Sequence, residues 1–166
     1  MAQDEVDRLT EAWRHERPDL DVSPMEVLSR VSRLARHLDR ERRAAFAEHG
    51  LEPWEFDVLA ALRKTGEPYE LSPGALLGQT LVTSGTMTAR VDKLTARGLV
   101  SRRRDEDDRR AVRVRLTEFG KKSVDAALEG LLANERRLLA GLGADERDQL
   151  SGLLRTLVLP FDDAPS

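Results

Sequence analysis

Residues 102–117 read "RRRDEDDRRAVRVRLT": three arginines, four acids, two more arginines, and then valine alternating with arginine. The first half alone would suit a charged linker. The second half would not, because Val112, Val114 and Leu116 fall two apart with Arg113 and Arg115 between them, and a period of two sorts side chains onto the two faces of a strand. Leu99 to Arg104 is strand-like as well. Two strands joined by "DEDD" make a hairpin, with acids placed where two basic strands would otherwise repel each other.

Immediately upstream the period is helical. Thr83 or Ser84 can cap a helix that reaches Arg97 and stops at Gly98, the expected start and stop residues. Met87, Val91 and Leu94 turn inward on it, leaving Gly85, Thr88, Ala89 and Asp92 opposite. These are small or polar side chains, suited to close approach to base edges or phosphates. A brief helix precedes it, opened by the cap-then-proline pair Ser72 and Pro73 and running through about Gln79. Short helix, tight turn, second helix and basic hairpin together predict a helix-turn-helix followed by a wing. In such a unit the second helix enters the major groove, while strands and arms reach the adjacent minor groove.

The flanks are helical. Val6, Leu9 and Trp13 make one apolar stripe over residues 4–14. Ser23 as N-cap, Pro24 at the first helical position and Glu26 three after the cap predict a helix to about Glu48. Pro53 opens another, with Trp54, Val58 and Leu62 on one face and Gly66 past its end; "GEPYEL" then reads as a turn leading to a short extended piece. Beyond Thr117, Leu128, Leu131, Leu132, Leu138, Leu139 and Leu142 read as one long helix. A last helix from about Ala144, with Leu150, Leu153, Leu154 and Leu157, ends before Pro160. With aromatics at only 4%, the leucine-rich terminal helices are expected to bury surplus apolar surface against a second subunit. The predicted fold is mainly α with a small β wing, in one compact chain. Residues 1–50 carry an extra helix and a first dimerisation helix, 51–117 a DNA-binding lobe, and 118–166 C-terminal dimerisation helices.

Composition narrows the function. A chain of 166 residues suits one domain, and with no cysteine it excludes disulfides, thiolate metal sites and thiol-based oxidant sensing. His15, His37 and His49 show no ligand-like spacing, and no Ser/His/Asp set, Gly-rich phosphate loop or metal-spaced cluster is present. No enzyme, cofactor or metal is therefore expected. Nothing resembles a signal peptide or a spanning segment, so the expected place is the cytoplasm, with no membrane partner. The net charge of -3 is unevenly spread: residues 80–116 carry 10 basic against 5 acidic side chains, a local +5 in a protein that is -8 elsewhere. A basic stripe of that kind is the footprint of a phosphate-binding surface.

"DDRRAVRVRLTEFG" matches the wing pattern of the MarR family, D-x-R-x-x-x-V-x-L-T, with Asp108, Arg110, Val114, Leu116 and Thr117 in place. "SGTMTARVDKLTARGLV" resembles that family's recognition helix. The resemblance covers about residues 50 to 120 and implies a homodimeric winged-helix transcriptional regulator on a pseudo-palindromic operator in double-stranded DNA, paired through its first and last two helices. It implies that Arg110 enters the minor groove at the wing tip, oriented by Asp108; a narrow groove focuses negative potential and attracts arginine. Arg103, Arg109 and Arg113 would touch phosphates, although Arg103 and Arg113 read equally as solvated strand charge. Ser84, Gly85, Thr88, Ala89 and Asp92 would face the major groove.

An extra N-terminal helix with a tryptophan, followed by "ERPDLDVSPM", resembles the urate-responsive branch of the family. That branch holds its ligand with a tryptophan, an aspartate and two arginines, and the matching positions are Trp13, Asp57, Arg90 and Arg102. Arg90 lies about 80° from the centre of its helix's apolar face at ~100° per residue, on the interior flank. Arg102 shares a strand face with Val100. Asp57 lies off the Trp54 stripe, and Trp13 also reads as a packing residue. Two guanidinium forks and a flat indole suit a planar or polycarboxylate anion; urate, aconitate, citrate and aromatic acids all fit. The implied mechanism has Asp57 paired with an arginine until an anion competes for Arg90 and Arg102, shifting the recognition helix and releasing a repressor from its operator. The alternative is a winged-helix protein in non-specific DNA packaging or protein contact, without a ligand.

Overall fold

The computed structural model describes residues 3–80, 82–104 and 112–162. Asp4 caps α1 (Glu5–Glu16) by accepting from the Val6 and Asp7 amides, and Asp7 returns a bond from the Asp4 amide at 2.8 Å. This capping box satisfies donors that the first turn leaves without helical partners. α2 (Ser23–Ala47) runs antiparallel to α1, fastened by Arg30 to Asp4 and Asp7, Arg33 to Glu5, and Arg14 to Glu26. Ser23 is not the cap expected of it. The helix already includes Ser23, whose amide donates to the Asp21 carboxylate at 2.9 Å. The acid two residues upstream supplies the acceptor, which holds the Asp21 carboxyl below the usual carboxylate range, and Glu26 turns to Arg14 instead.

α3 (Pro53–Arg63) starts at the proline, buries Val58 and Leu62 and leaves Trp54 partly buried at the core's edge. β1 (Glu70–Leu71) follows. α4 (Pro73–Thr80) opens where Ser72 Oγ accepts the Ala75 amide at 3.2 Å. Thr83 accepts the Thr86 amide to open α5 (Ser84–Ala96); Gly98, at φ +71, then turns the chain into β2 (Val100–Arg104). β3 (Val112–Leu116) completes an antiparallel sheet of order β1-β3-β2. The register sets Val100 against Leu116, Ser101 against Arg115 and Arg103 against Arg113. Val100, Val114 and Leu116 thus share the buried face, and the arginines between them share the other.

Thr117 accepts the Gly120 amide at 2.9 Å, opening α6 (Glu118–Leu138), and donates back to the Gly98 carbonyl at 2.7 Å. Gly120 permits this close seam: a Cβ there would stand 2.0 Å from the Leu99 carbonyl oxygen. The long helix expected to reach Leu142 stops at Leu138, where the chain tightens into a single 3-10 turn over Leu139–Gly141. α7 (Ala144–Asp162) continues through Pro160, past its expected end. Pro160 has no N–H to give the Thr156 carbonyl, and because it stands in the last turn that loss is confined to the helix end.

The core fills the space between α2, α3, α4, α5, α6 and the sheet, with Phe46 and Phe56 stacked at 4.0 Å and Leu59, Leu62, Leu76 and Leu94 without exposure. Burying each such side chain contributes about 1.5–3 kcal/mol. Quite unlike this lobe, α7 has no buried residue, and Leu153, Leu157 and Phe161 stand exposed, as do Val27, Leu28 and Leu34 on α2.

Candidate nucleic-acid interface

α5 presents two faces of different chemistry. Met87, Val91 and Leu94 are buried, whereas Ser84, Gly85, Thr88, Ala89 and Asp92 are exposed. A side chain added at Gly85 would meet nothing within 4 Å, so no packing within the chain demands a small residue there. Thr88 Oγ1 donates to the Ser84 carbonyl at 3.1 Å, which holds its methyl and hydroxyl in one rotamer.

Three contacts brace this helix against its surroundings. The Arg90 guanidinium lies 5.3 Å from the Trp54 ring centroid, a cation-π distance that ties α5 to α3. Arg97, at the end of α5, donates to both carboxylate oxygens of Glu55 and to the Gly50 carbonyl at 2.7 Å. Glu55 is only 3% exposed and also accepts the Glu52 amide at 2.9 Å. From the wing, Arg102 Nη2 reaches Asp92 Oδ1 at 2.6 Å. A cleft of about 680 Å³ opens beside these braces, lined by Glu52, Trp54, Glu55, Lys93 and Arg97 among others.

The wing's stem is the β2–β3 ladder. Arg103 and Arg113 face each other across it, on the side away from the core. Asp108, Arg109 and Arg110 lie outside the described residues.

The four residues named for an effector do not meet in one chain. Arg90 is half-buried against Trp54, as its position on the interior flank led one to expect. Arg102 shares the face of Val100, but its side chain runs past the edge of the core to Asp92 and stays 43% exposed. Asp57 is exposed, 3.8 Å from Arg42 rather than beside either of those arginines. Trp13 is 44% exposed on α1, near the start of α2 where Arg14 holds Glu26. Arg42 lies 16 residues beyond Glu26 on the same helix, about 24 Å at ~1.5 Å per residue, so Trp13 and Asp57 sit near opposite ends of α2. Sequence reasoning missed the roles of Trp54, Glu55 and Arg97. The spacing of Glu52 and Glu55 hinted at a capping box, but nothing local pointed from Glu55 to a residue 42 positions away.

Among the described residues, no group of three His, Asp or Glu is placed to hold a metal ion, and no helix is long and apolar enough to cross a membrane. A model of the MarR family matches residues 49–111. Over 150 residues the chain is 37% identical to the HTH-type transcriptional regulator PecS of Dickeya dadantii, covering 90% of each. The chain belongs to the MarR family. It is also 32% identical to the HTH-type transcriptional repressor NicR of Pseudomonas putida, covering 84% of this chain and 89% of that one. Among solved structures, a MarR family protein from Bacillus stearothermophilus superposes with a TM-score of 0.74 at 25% identity, covering 87% of this chain and 99% of the other. BpsR of Bordetella bronchiseptica, whose DNA binding is regulated by 6-hydroxynicotinic acid, gives 0.59 at 28% identity over 81% and 94%. The MarR-family winged helix-turn-helix is thus this chain's fold, and its function is DNA-binding transcriptional regulation, not enzymatic catalysis.

Proposed function

We propose that this chain is a cytoplasmic, homodimeric repressor that leaves its operator when a small planar or polycarboxylate anion binds. The observation that carries the reading is where the two effector arginines lie: Arg90 is part of the groove-reading helix and Arg102 is ion-paired to it. An anion that claims either guanidinium acts directly on the element that reads DNA. Two forks and the nearby Trp54 ring suit an aromatic or multiply carboxylated ligand. Urate, aconitate and citrate belong to that class, and the ligand of the similar BpsR is an aromatic acid.

Ser84, Gly85, Thr88 and Ala89 face the base edges in this reading. Arg110 enters the minor groove with Asp108 orienting it, and Arg103, Arg109 and Arg113 contact phosphates. The open apolar faces of α2 and α7 pair two protomers over two half-sites. Trp13 takes part in the effector site only where a second protomer brings its own α1 there, since α2 holds it far from Asp57 within one chain. Asp57, near Arg42 in this structure, is the carboxylate toward which a displaced Arg90 can turn.

The test is a fluorescence anisotropy titration of the protein on the region upstream of its own gene, with urate, aconitate, citrate and 6-hydroxynicotinate added in turn and unrelated DNA as competitor. At least one anion should weaken binding about 5- to 150-fold, the usual range of coupling, and Arg90→Ala should blunt that response. Unchanged affinity with all four would reject the effector. Equal binding to unrelated DNA would favour non-specific packaging.

A further inference from the structure

Asp92 is out of place on a surface that reads DNA. It lies on the exposed face of α5, one turn from Thr88, and its side chain is 57% exposed. A bare carboxylate there would face phosphates across less than the ~8 Å over which salt screens charge. It is not bare: among the described residues its basic partner is Arg102, at 2.6 Å, arriving from a different element, the wing.

We propose that this ion pair is the coupling element of regulation. The recognition helix carries its own repulsive charge, Arg102 masks it, and an anion that takes Arg102 unmasks it. The inference rests on the reading of Arg102 as an effector residue and adds what its capture does. The charge balance is simple. With Asp92 and Arg102 paired, the site is neutral. With Arg102 given to a monoanion, Asp92 is left as one uncompensated negative charge per protomer, and a dimer presents two, one at each half-site. The same capture unties the wing from the helix it flanks. A ligand moves such an equilibrium only through its different affinity for the two states, and here the difference is built in, because DNA favours the masked state and the anion favours the unmasked one.

The sign of the effect separates this from a merely structural role. Arg102→Ala leaves Asp92 unmasked and should weaken operator binding about 10-fold, within the range of ordinary coupling. Asp92→Asn, which keeps an oxygen for Arg102 but no charge, should tighten binding and steepen its salt dependence, because a guanidinium charge is freed for the phosphates. The Arg102→Ala/Asp92→Asn double variant should return to within about threefold of wild type. A double variant that binds no better than Arg102→Ala would overturn the masking, as would an Asp92→Asn variant that binds more weakly than wild type. In the presence of saturating urate, aconitate or citrate, Asp92→Asn should hold the operator about as tightly as wild type does without anion. Release of Asp92→Asn to the affinity of anion-saturated wild type would overturn the coupling. Should wild type ignore every anion, the effector reading fails instead, and the masking stands or falls on the double variant alone.

Discussion

Replacing Arg97 by alanine tests how α5 is held at its C-terminal end. Glu55 is 3% exposed and takes three hydrogen bonds, two from Arg97 and one from the Glu52 amide. Without Arg97 it would be a buried carboxylate with one backbone donor. Breaking a fully buried pair by removing one partner costs about 3–5 kcal/mol. Arg97 itself is 43% exposed, so water can follow into the vacated space, and we expect about 2 kcal/mol, near the value of a hydrogen bond to a charged group. For a chain of this size that corresponds to a fall in Tm of roughly 4–8 °C. Circular dichroism melts at one fixed protein concentration would measure it, since a dimer's stability varies with concentration. Glu55→Gln should lose less, because the amide oxygen can still accept from Glu52. The double variant Glu55→Gln/Arg97→Ala should cost less than the sum of the two, because the uncompensated charge is gone. A Tm within 1 °C of wild type for Arg97→Ala, or strict additivity in the double variant, would refute the coupling of α3 to α5 through this pair.

Other measurements follow from single contacts. Arg30 and the first-turn amides hold the Asp4 carboxyl down, from 3.8 to about 2. A depressed carboxylate stabilises the fold above its unfolded value and loses that contribution as pH falls through the folded one, so α1 should loosen from α2 between about pH 4 and 2. Trp13 fluorescence in a Trp54→Phe background would report it, and a flat signal over that window would contradict the assignment. Gly120→Ala must push backbone against backbone, since its Cβ would meet the Leu99 oxygen at 2.0 Å; a loss of at least about 2 kcal/mol in urea is expected. Arg110→Ala should weaken operator binding and lower the slope of log K against log salt by about 1, and an unaltered slope would place Arg110 away from DNA.

The winged helix-turn-helix was legible because its signals are local. Thr83 and Gly98 act within a few residues of themselves, and a change of period from helix to strand needs only a window of ten. Ser23 misled because Asp21 two positions earlier offered an equally local acceptor, and the backbone took that one. The stop at Leu138 was hidden because leucines on both sides of it keep a helical period through the 3-10 turn. The candidate site was legible in part. Periodicity placed Arg90 correctly on the inner flank, yet no spacing rule could pair it with Trp54, 36 residues away in sequence, or send Arg102 to Asp92. Those partners are set by how α3, α5 and the wing pack, which is tertiary information.

The packing also resolves how an acidic chain binds an acidic polymer. Many charges of α1 and α2 are matched by neighbours: Arg30, Arg33 and Arg14 take acids of the adjoining helix, Arg43 takes Asp39, and Arg42 takes Asp57 of α3. Fields from such pairs cancel within a few ångströms, and salt screens the remainder beyond ~8 Å. In residues 80–116 the balance runs the other way. Arg97 draws its acid, Glu55, from outside the segment, and of the segment's own five acids only Asp92 lies on α5, where Arg102 covers it. With Glu55 set against Arg97, residues 80–116 keep +4 of their local +5, and the chain's excess acid is carried by residues outside that segment. A net charge of -3 describes the whole chain, but a phosphate at the wing responds to the charge within one screening length, where residues 80–116 are net positive and capture of Arg102 by a monoanion would lower that charge by one.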